Sequence, residues 1–116
     1  MIKINQKQGG KNIDIAVKDQ NGDPFDISGF TSVEMSILTP ANRKMTRTAV
    51  VGTSSGTIGG VVYPAGTWAR YVTENNELME TGIHKAQLLW LEDGKQVGTT
   101  GYLDTFEVVR SGWVDC

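Results

Sequence analysis

Phe30-Thr31-Ser32-Val33-Glu34-Met35-Ser36-Ile37-Leu38 is the stretch that decides the fold class of this chain. Val33, Met35 and Ile37 fall on one side of an extended backbone, and Ser32, Glu34 and Ser36 fall on the other. That period of two belongs to a strand with one buried face. The same pattern stands upstream, where Ile13, Ile15 and Val17 interleave with Asp14, Ala16 and Lys18. Between the two strands lies Asp19-Gln20-Asn21-Gly22-Asp23-Pro24. Asn-Gly accepts positive φ at the centre of a turn, and Pro24 has no N–H to give to a ladder, so the first strand must break here.

The pattern continues towards the C-terminus. Thr39-Pro40-Ala41-Asn42 closes the strand, and residues 43–51 follow as a more polar one with Met45, Ala49 and Val51 on one side, suited to a sheet edge. Residues 52–56 form a Gly-rich turn. Ile58 and Val61-Val62-Tyr63 then form an extended run, with Gly59-Gly60 read as a bulge. Residues 67–73 set Trp68, Arg70 and Val72 opposite Ala69 and Tyr71. Residues 74–80 are the one stretch with the composition of a helical turn, too short to be stable alone. Residues 83–91 read as a central strand with Ala86, Leu88 and Trp90 on one face. Asp93-Gly94 is a hairpin turn leading to Gln96-Val97-Gly98-Thr99, and residues 102–109 make the last strand, with Phe106 and Val108 inward. About seven short strands at turn spacings of roughly 8 to 12 residues predict an all-β sandwich.

Length and charge narrow the function. A chain of 116 residues holds one core, so a single domain is expected over 1–116, with short extensions at about 1–10 and 110–116. The net charge of -2, without a dense Lys or Arg block, offers no footprint for nucleic acid or an anionic membrane. No apolar run resembles a secretory signal or a membrane span, which predicts synthesis in the cytoplasm. The single cysteine, Cys116, makes an internal disulfide or a two-cysteine metal clamp impossible within the 116 residues.

The inventory for chemistry is thin. His84 is the only histidine, on a strand face with Ala86 and Leu88, and is expected as a core residue satisfied by backbone partners. Asp19, Asn21, Asp23 and Asp26 supply oxygen atoms but lack the spacing and closing glutamate of a calcium loop, so they are read as turn formers. Glu74, Glu77 and Glu80 are read as a solvated face, because a glycosidase pair needs a deep cleft. No catalytic residue, metal or cofactor is therefore expected, and no enzyme. Trp68 and Trp90 are expected in the core. Trp113 and Val114 lie beyond the last strand, and Ile2 and Ile4 alternate ahead of Gly9-Gly10; these four are the expected partner-binding residues.

Asp19-Gln20-Asn21-Gly22-Asp23-Pro24-Phe25-Asp26-Ile27-Ser28-Gly29-Phe30, set between two alternating strands, resembles the N-terminal immunoglobulin-like domain of phage baseplate upper proteins. The resemblance extends through Val61-Val62-Tyr63, Thr81-Gly82-Ile83-His84-Lys85-Ala86-Gln87-Leu88, the turn Glu92-Asp93-Gly94 and Phe106-Glu107-Val108, and covers roughly residues 2 to 109. Ile27-Ser28 replaces the family's usual Leu-Thr, and His84 stands where an aromatic is common. The resemblance implies an immunoglobulin-like antiparallel sandwich. It further implies a structural subunit of a tailed-phage virion, located in baseplate, tail, neck or capsid as an adaptor or fibre anchor. Such a subunit docks onto other virion proteins in a symmetric multi-copy assembly. The alternative is a host-surface adhesion module that binds carbohydrate through exposed aromatic rings; a small hydrolase is a weaker third.

Overall fold

The computed structural model describes residues 2–6, 9–74 and 77–110. Among the described residues there is no helix, and the strands form two principal sheets and a separate hairpin. The larger sheet contains β1 (Ile2–Asn5), β3 (Ser32–Leu38), β4 (Lys44–Thr48), β9 (Gly82–Glu92), β10 (Lys95–Thr99) and β11 (Leu103–Val109). Its order is β1-β11-β9-β3-β4, and β10 flanks the far half of β9 on the same side as β11. The smaller sheet, β2-β8-β5, is built from β2 (Asn12–Ala16), β5 (Val50–Val51) and β8 (Trp68–Val72). The hairpin pairs β6 (Gly56–Ile58) with β7 (Val61–Tyr63).

The two sheets face each other across one core. Ile13, Ile15, Ala69 and Tyr71 come from the smaller sheet, while Val33, Met35, Ile37, Ala86, Leu88, Phe106 and Val108 come from the larger. Each set follows the alternation of its own strand, so burial of one face per sheet supplies the main driving force. Ile27 and Leu78, from the connections, close the ends of this core. The result is the sandwich-like all-β arrangement expected from the sequence.

Several boundaries differ from the sequence reading, each for a physical reason. More than seven strands are present because two expected strands, residues 43–51 and the run through 58–63, are each divided and residues 2–5 add another. Residues 43–51 leave the larger sheet after Thr48 and enter the smaller one at Val50, crossing at Ala49, whose N–H donates to the Val33 carbonyl. Between β10 and β11, which flank β9 as the separate segments expected there, Thr100 both donates its N–H to the Leu88 carbonyl and accepts the Leu88 N–H on its hydroxyl, keeping the ladder bonded across the break. Gly59-Gly60 is a hairpin turn, not a bulge: both glycines have positive φ, at 60° and 82°, which a two-residue turn of this hand requires. Residues 2–5 form a strand paired within the larger sheet, among the described residues the single parallel partner in an otherwise antiparallel set. The described residues of the 74–80 stretch contain no helical turn.

Tight approaches explain the placement of the tryptophans. Trp68 is buried on the outer face of the smaller sheet, under the loop joining β5 to β6. A Cβ on Gly52 or Gly56 would come within 2.2 or 2.7 Å of its ring, and its Nε1–H donates to the Ser54 carbonyl. Trp90 is half-buried at the mouth of the core, beside Phe25 and Phe30 with ring centroids 5.8 and 6.3 Å away, and Gly98 lies flat against it.

Candidate docking site

The alternation of β2 determines which of its backbone groups are spent. The register pairs Ile13 with Tyr71 and Ile15 with Ala69, and the ladder continues as the Val17 N–H donates to the Thr67 carbonyl. In an antiparallel ladder, successive residues point their N–H and C=O groups to opposite sides. Asn12, Asp14 and Ala16 therefore turn theirs away from β8, to the edge of β2 that carries no paired strand among the described residues. That edge borders a groove of 640 Å3. Thr99, Thr100, Leu103 and Asp104 form its opposite wall, and Ile58 and Tyr63 of the β6–β7 hairpin form a third side. Leu103 is 55% exposed, a large apolar side chain left on this wall.

The groove's wall on β11 has a defined limit. Among the described residues β1 pairs with β11 from Phe106 to Val109, and the first residues of β11, Leu103 to Thr105, have β9 on one side and no paired strand on the other. A register irregularity between Asp104 and Phe106 accompanies this change. An extended segment entering the groove would meet unpaired backbone on β2 and apolar side chains on both flanks.

The sequence-predicted partner residues separate here. Ile4 is 1% exposed, packed in the domain's own core, and so is removed from the docking residues. Its burial follows from the pairing of β1 with β11, which sets Ile4 beside Val108. Ile2 is in the same strand, with its side chain outside the described residues, as are Trp113, Val114 and Cys116.

The remaining polar clusters are engaged in holding the fold. Asp19 accepts the N–H groups of Asn21 and Asp23, and Asp26 accepts both the N–H and hydroxyl of Ser28, so these carboxylates act as turn formers. Asp14 receives Nε and Nη2 of Arg70 at 2.7 and 3.0 Å, and the guanidinium lies 5.2 Å over the Trp68 ring. His84 stacks on Phe106 with centroids 4.8 Å apart, and its Nδ1 is 3.2 Å from the Gly82 carbonyl. Burial pushes its pKa down, with that carbonyl opposing.

Glu77 corrects the reading of residues 74, 77 and 80 as a solvated face. Its side chain is 6% exposed. It accepts the Tyr71 hydroxyl at 2.6 and 2.7 Å, Arg47 Nε at 2.7 Å and the Glu74 N–H at 3.1 Å. Burial alone would raise this carboxyl; the hydrogen bonds from Tyr71, Arg47 and Glu74 outweigh it and hold the pKa below the ordinary glutamate range. The Tyr71 hydroxyl is pushed up to about 12 by burial and by the adjacent carboxylate. A tyrosine that is neutral at physiological pH and a carboxylate already fully hydrogen-bonded make a brace, tying β4 and β8 to the connection leading into β9. The Glu80 carboxylate, paired with Arg43 at 2.7 Å on the surface, extends the same link.

Compared with models of protein families, with curated proteins and with solved structures, the chain matches none of them.

Proposed function

We propose that this chain is an immunoglobulin-like docking module of a tailed-phage particle, working through protein–protein contact and located in the virion. The observation that carries the reading is the distribution of strands. The smaller sheet takes the second, fifth and eighth strands, and the larger takes the first, third, fourth, ninth, tenth and last. In immunoglobulin sandwiches, the strands lettered B, E and D likewise face C, F and G, with C′ added beside C. The β6–β7 hairpin is then an insertion between D and E. Together with the turn at 19–26 and the stretch at 81–88, this arrangement supports the family resemblance carried by the sequence.

The docking surfaces are the strand edges. β4 ends the larger sheet on one side, β2 ends the smaller sheet on the other, and Val61 and Val62 at the hairpin are 50% and 64% exposed. Such edges and apolar tips are where a neighbouring subunit adds strands or side chains. The carbohydrate reading needs rings displayed flat to solvent. Trp68 is covered by its loop and Arg70, and Tyr63, the one aromatic residue in the groove, is 6% exposed; the more exposed rings, Phe25 at 37% and Tyr102 at 36%, are tilted against Trp90 and hydrogen-bonded to Ser36 respectively.

The test is incorporation. Purified particles from a host carrying this gene should contain the chain in multiple copies, by mass spectrometry and by fitting the domain into an image reconstruction. A chain truncated after Arg110 should fold with a near-unchanged melt and be missing from the particles. Recovery of the full chain only outside particles would overturn the assignment.

A further inference from the structure

We propose that the peptide bond between Asp23 and Pro24 is a self-cleavage site, at which the Asp23 carboxylate attacks its own backbone carbonyl and releases Pro24 as a new N-terminus. This goes beyond the docking reading and does not depend on it. The turn at 19–24 builds the site. The Gly22 N–H donates to the Asp19 carbonyl at 3.0 Å with Gly22 at a φ of 83°, and the Asp19 N–H donates to the Asp23 carbonyl at 2.8 Å. Past the turn, Pro24 forms a bridge with Lys18, and the Phe25 N–H donates to the Val17 carbonyl at 2.9 Å. The bond is thus held on both sides, within a run that is exposed from Lys18 to Asp26.

The three aspartates of this loop differ in what their carboxylates do. Asp19 accepts the N–H groups of Asn21 and Asp23, and Asp26 accepts the N–H and hydroxyl of Ser28. The Asp23 carboxylate has no hydrogen bond or ion pair among the described residues. It is also the one that precedes a proline; the other two prolines follow Thr39 and Tyr63. Rotation about the Cα–Cβ bond of Asp23 brings a carboxylate oxygen to its own carbonyl carbon, and the new C–O bond closes a five-membered anhydride. A nucleophile on the same residue needs no encounter with its target. Negative charge develops on the Asp23 carbonyl oxygen during the addition, and the Asp19 N–H already points at that oxygen as an oxyanion donor does. The C–N bond then breaks, its electron pair goes to the Pro24 nitrogen, and that nitrogen takes a proton from solvent to leave as a secondary amine. One water opens the anhydride and leaves Asp23 with two carboxyl groups. Nothing is oxidised or reduced, and the products together outweigh the chain by that water. Mild acid supplies the proton; the charged side chains of the loop around the bond are Lys18, Asp19 and Asp26.

Scission divides the chain into residues 1–23 and 24–116. β1 and β2 fall in the first piece, paired with β11 and β8 of the second, and with Val17 they bury Ile4, Ile13 and Ile15 in the shared core. The nicked domain therefore stays assembled, with its two N-terminal strands held by pairing and packing alone.

In the experiment the full chain is incubated at the lowest pH, between about 4 and 6, at which circular dichroism still shows the native signal, with and without denaturing urea, and is followed by intact mass. Expected are fragments ending at Asp23 and beginning at Pro24, formed at least roughly tenfold faster in the folded chain than in urea, where the oxyanion donor and the clamp are lost. Asp23→Ala, at an exposed position, removes the nucleophile and abolishes both fragments. Asp19→Ala loosens the turn and brings the rate of the folded chain down to that in urea. Without urea the two fragments run as one species in size exclusion, and their separation would refute the retained assembly. A folded chain that stays intact or cleaves no faster than the unfolded one would overturn the proposal, as would scission at another bond or cleavage that survives Asp23→Ala.

Discussion

Replacing Glu77 by alanine tests whether the brace between Tyr71, Arg47 and the connection before β9 is structural in energy as well as in geometry. The substitution strands the Tyr71 hydroxyl, on a residue 8% exposed, and frees the Glu74 N–H. A buried polar group left unpaired costs about 1–3 kcal/mol. Arg47, 39% exposed, can turn to water, so its share is nearer the 0–1 kcal/mol of a surface pair than the roughly 3–5 kcal/mol of a fully buried one. The sum is about 2–3 kcal/mol, or a fall in Tm of roughly 10 °C for a domain of this size. Tyr71→Phe removes the hydroxyl without leaving a donor behind, and the double variant should be less destabilised than the two singles added, with a coupling of about 1 kcal/mol. Urea unfolding followed by circular dichroism at neutral pH measures all three. Because the folded pKa of Glu77 is depressed, the native state binds fewer protons in acid than the unfolded chain. Its contribution is complete above the ordinary glutamate value of about 4.5 and is lost as pH falls through the depressed value. A cost for Glu77→Ala below about 0.5 kcal/mol, or strict additivity, would refute the brace.

Two further perturbations test the packing. Gly98→Ala would set a Cβ 2.4 Å from the Trp90 ring and should cost about 2–3 kcal/mol through overpacking, whereas Gly94→Ala, with φ of 80° and open space around it, should cost only about 1 kcal/mol of backbone strain. Equal melting temperatures for the two variants would contradict this geometry. His84 is buried and its pKa lowered, so the unfolded state binds the extra proton as pH falls below about 6.5, and stability should decline from there towards the depressed folded value. Melts across that window should slope in the native protein and flatten in His84→Leu; an unchanged slope would assign the titration to another group.

The sequence reading succeeded wherever one strand's own alternation carried the information. Ile13, Ile15 and Val17, then Val33, Met35 and Ile37, are all buried where period two puts them, and Asp93-Gly94 turns with positive φ at both residues. It failed where the outcome depended on a second segment. Alternation says which face of a strand is buried but not which sheet it joins, so Met45, Ala49 and Val51 read as one strand although the chain changes sheets at Ala49. Ser36 sits on the polar side of its strand and is nonetheless fully buried, because the Tyr102 hydroxyl reaches it at 2.8 Å from a kink 66 residues away. Glu77 looked like surface charge because its cation is 30 residues distant, and its neighbours Glu74 and Glu80 carry no sign of the tyrosine beneath.

The same logic explains why the groove was less legible than the core. A core residue is marked by its own hydrophobicity, which each strand displays independently. A free edge is defined by what does not pair with it, a property of the whole sheet order. The sequence of β2 is the same whether or not a strand lies beside it. Only the arrangement of β1 reveals that the edge is open, because a first strand committed in parallel to β11 cannot also cover β2. Ile4 illustrates the exchange: its alternating segment suggested a docking arm, yet by closing one edge of the sandwich β1 takes Ile4 into the core and leaves the β2 edge without a paired strand among the described residues. Which edge of the sandwich stays open therefore follows from which edge the first strand occupies, and moving that strand from β11 to β2 would bury the groove and expose β11 in its place.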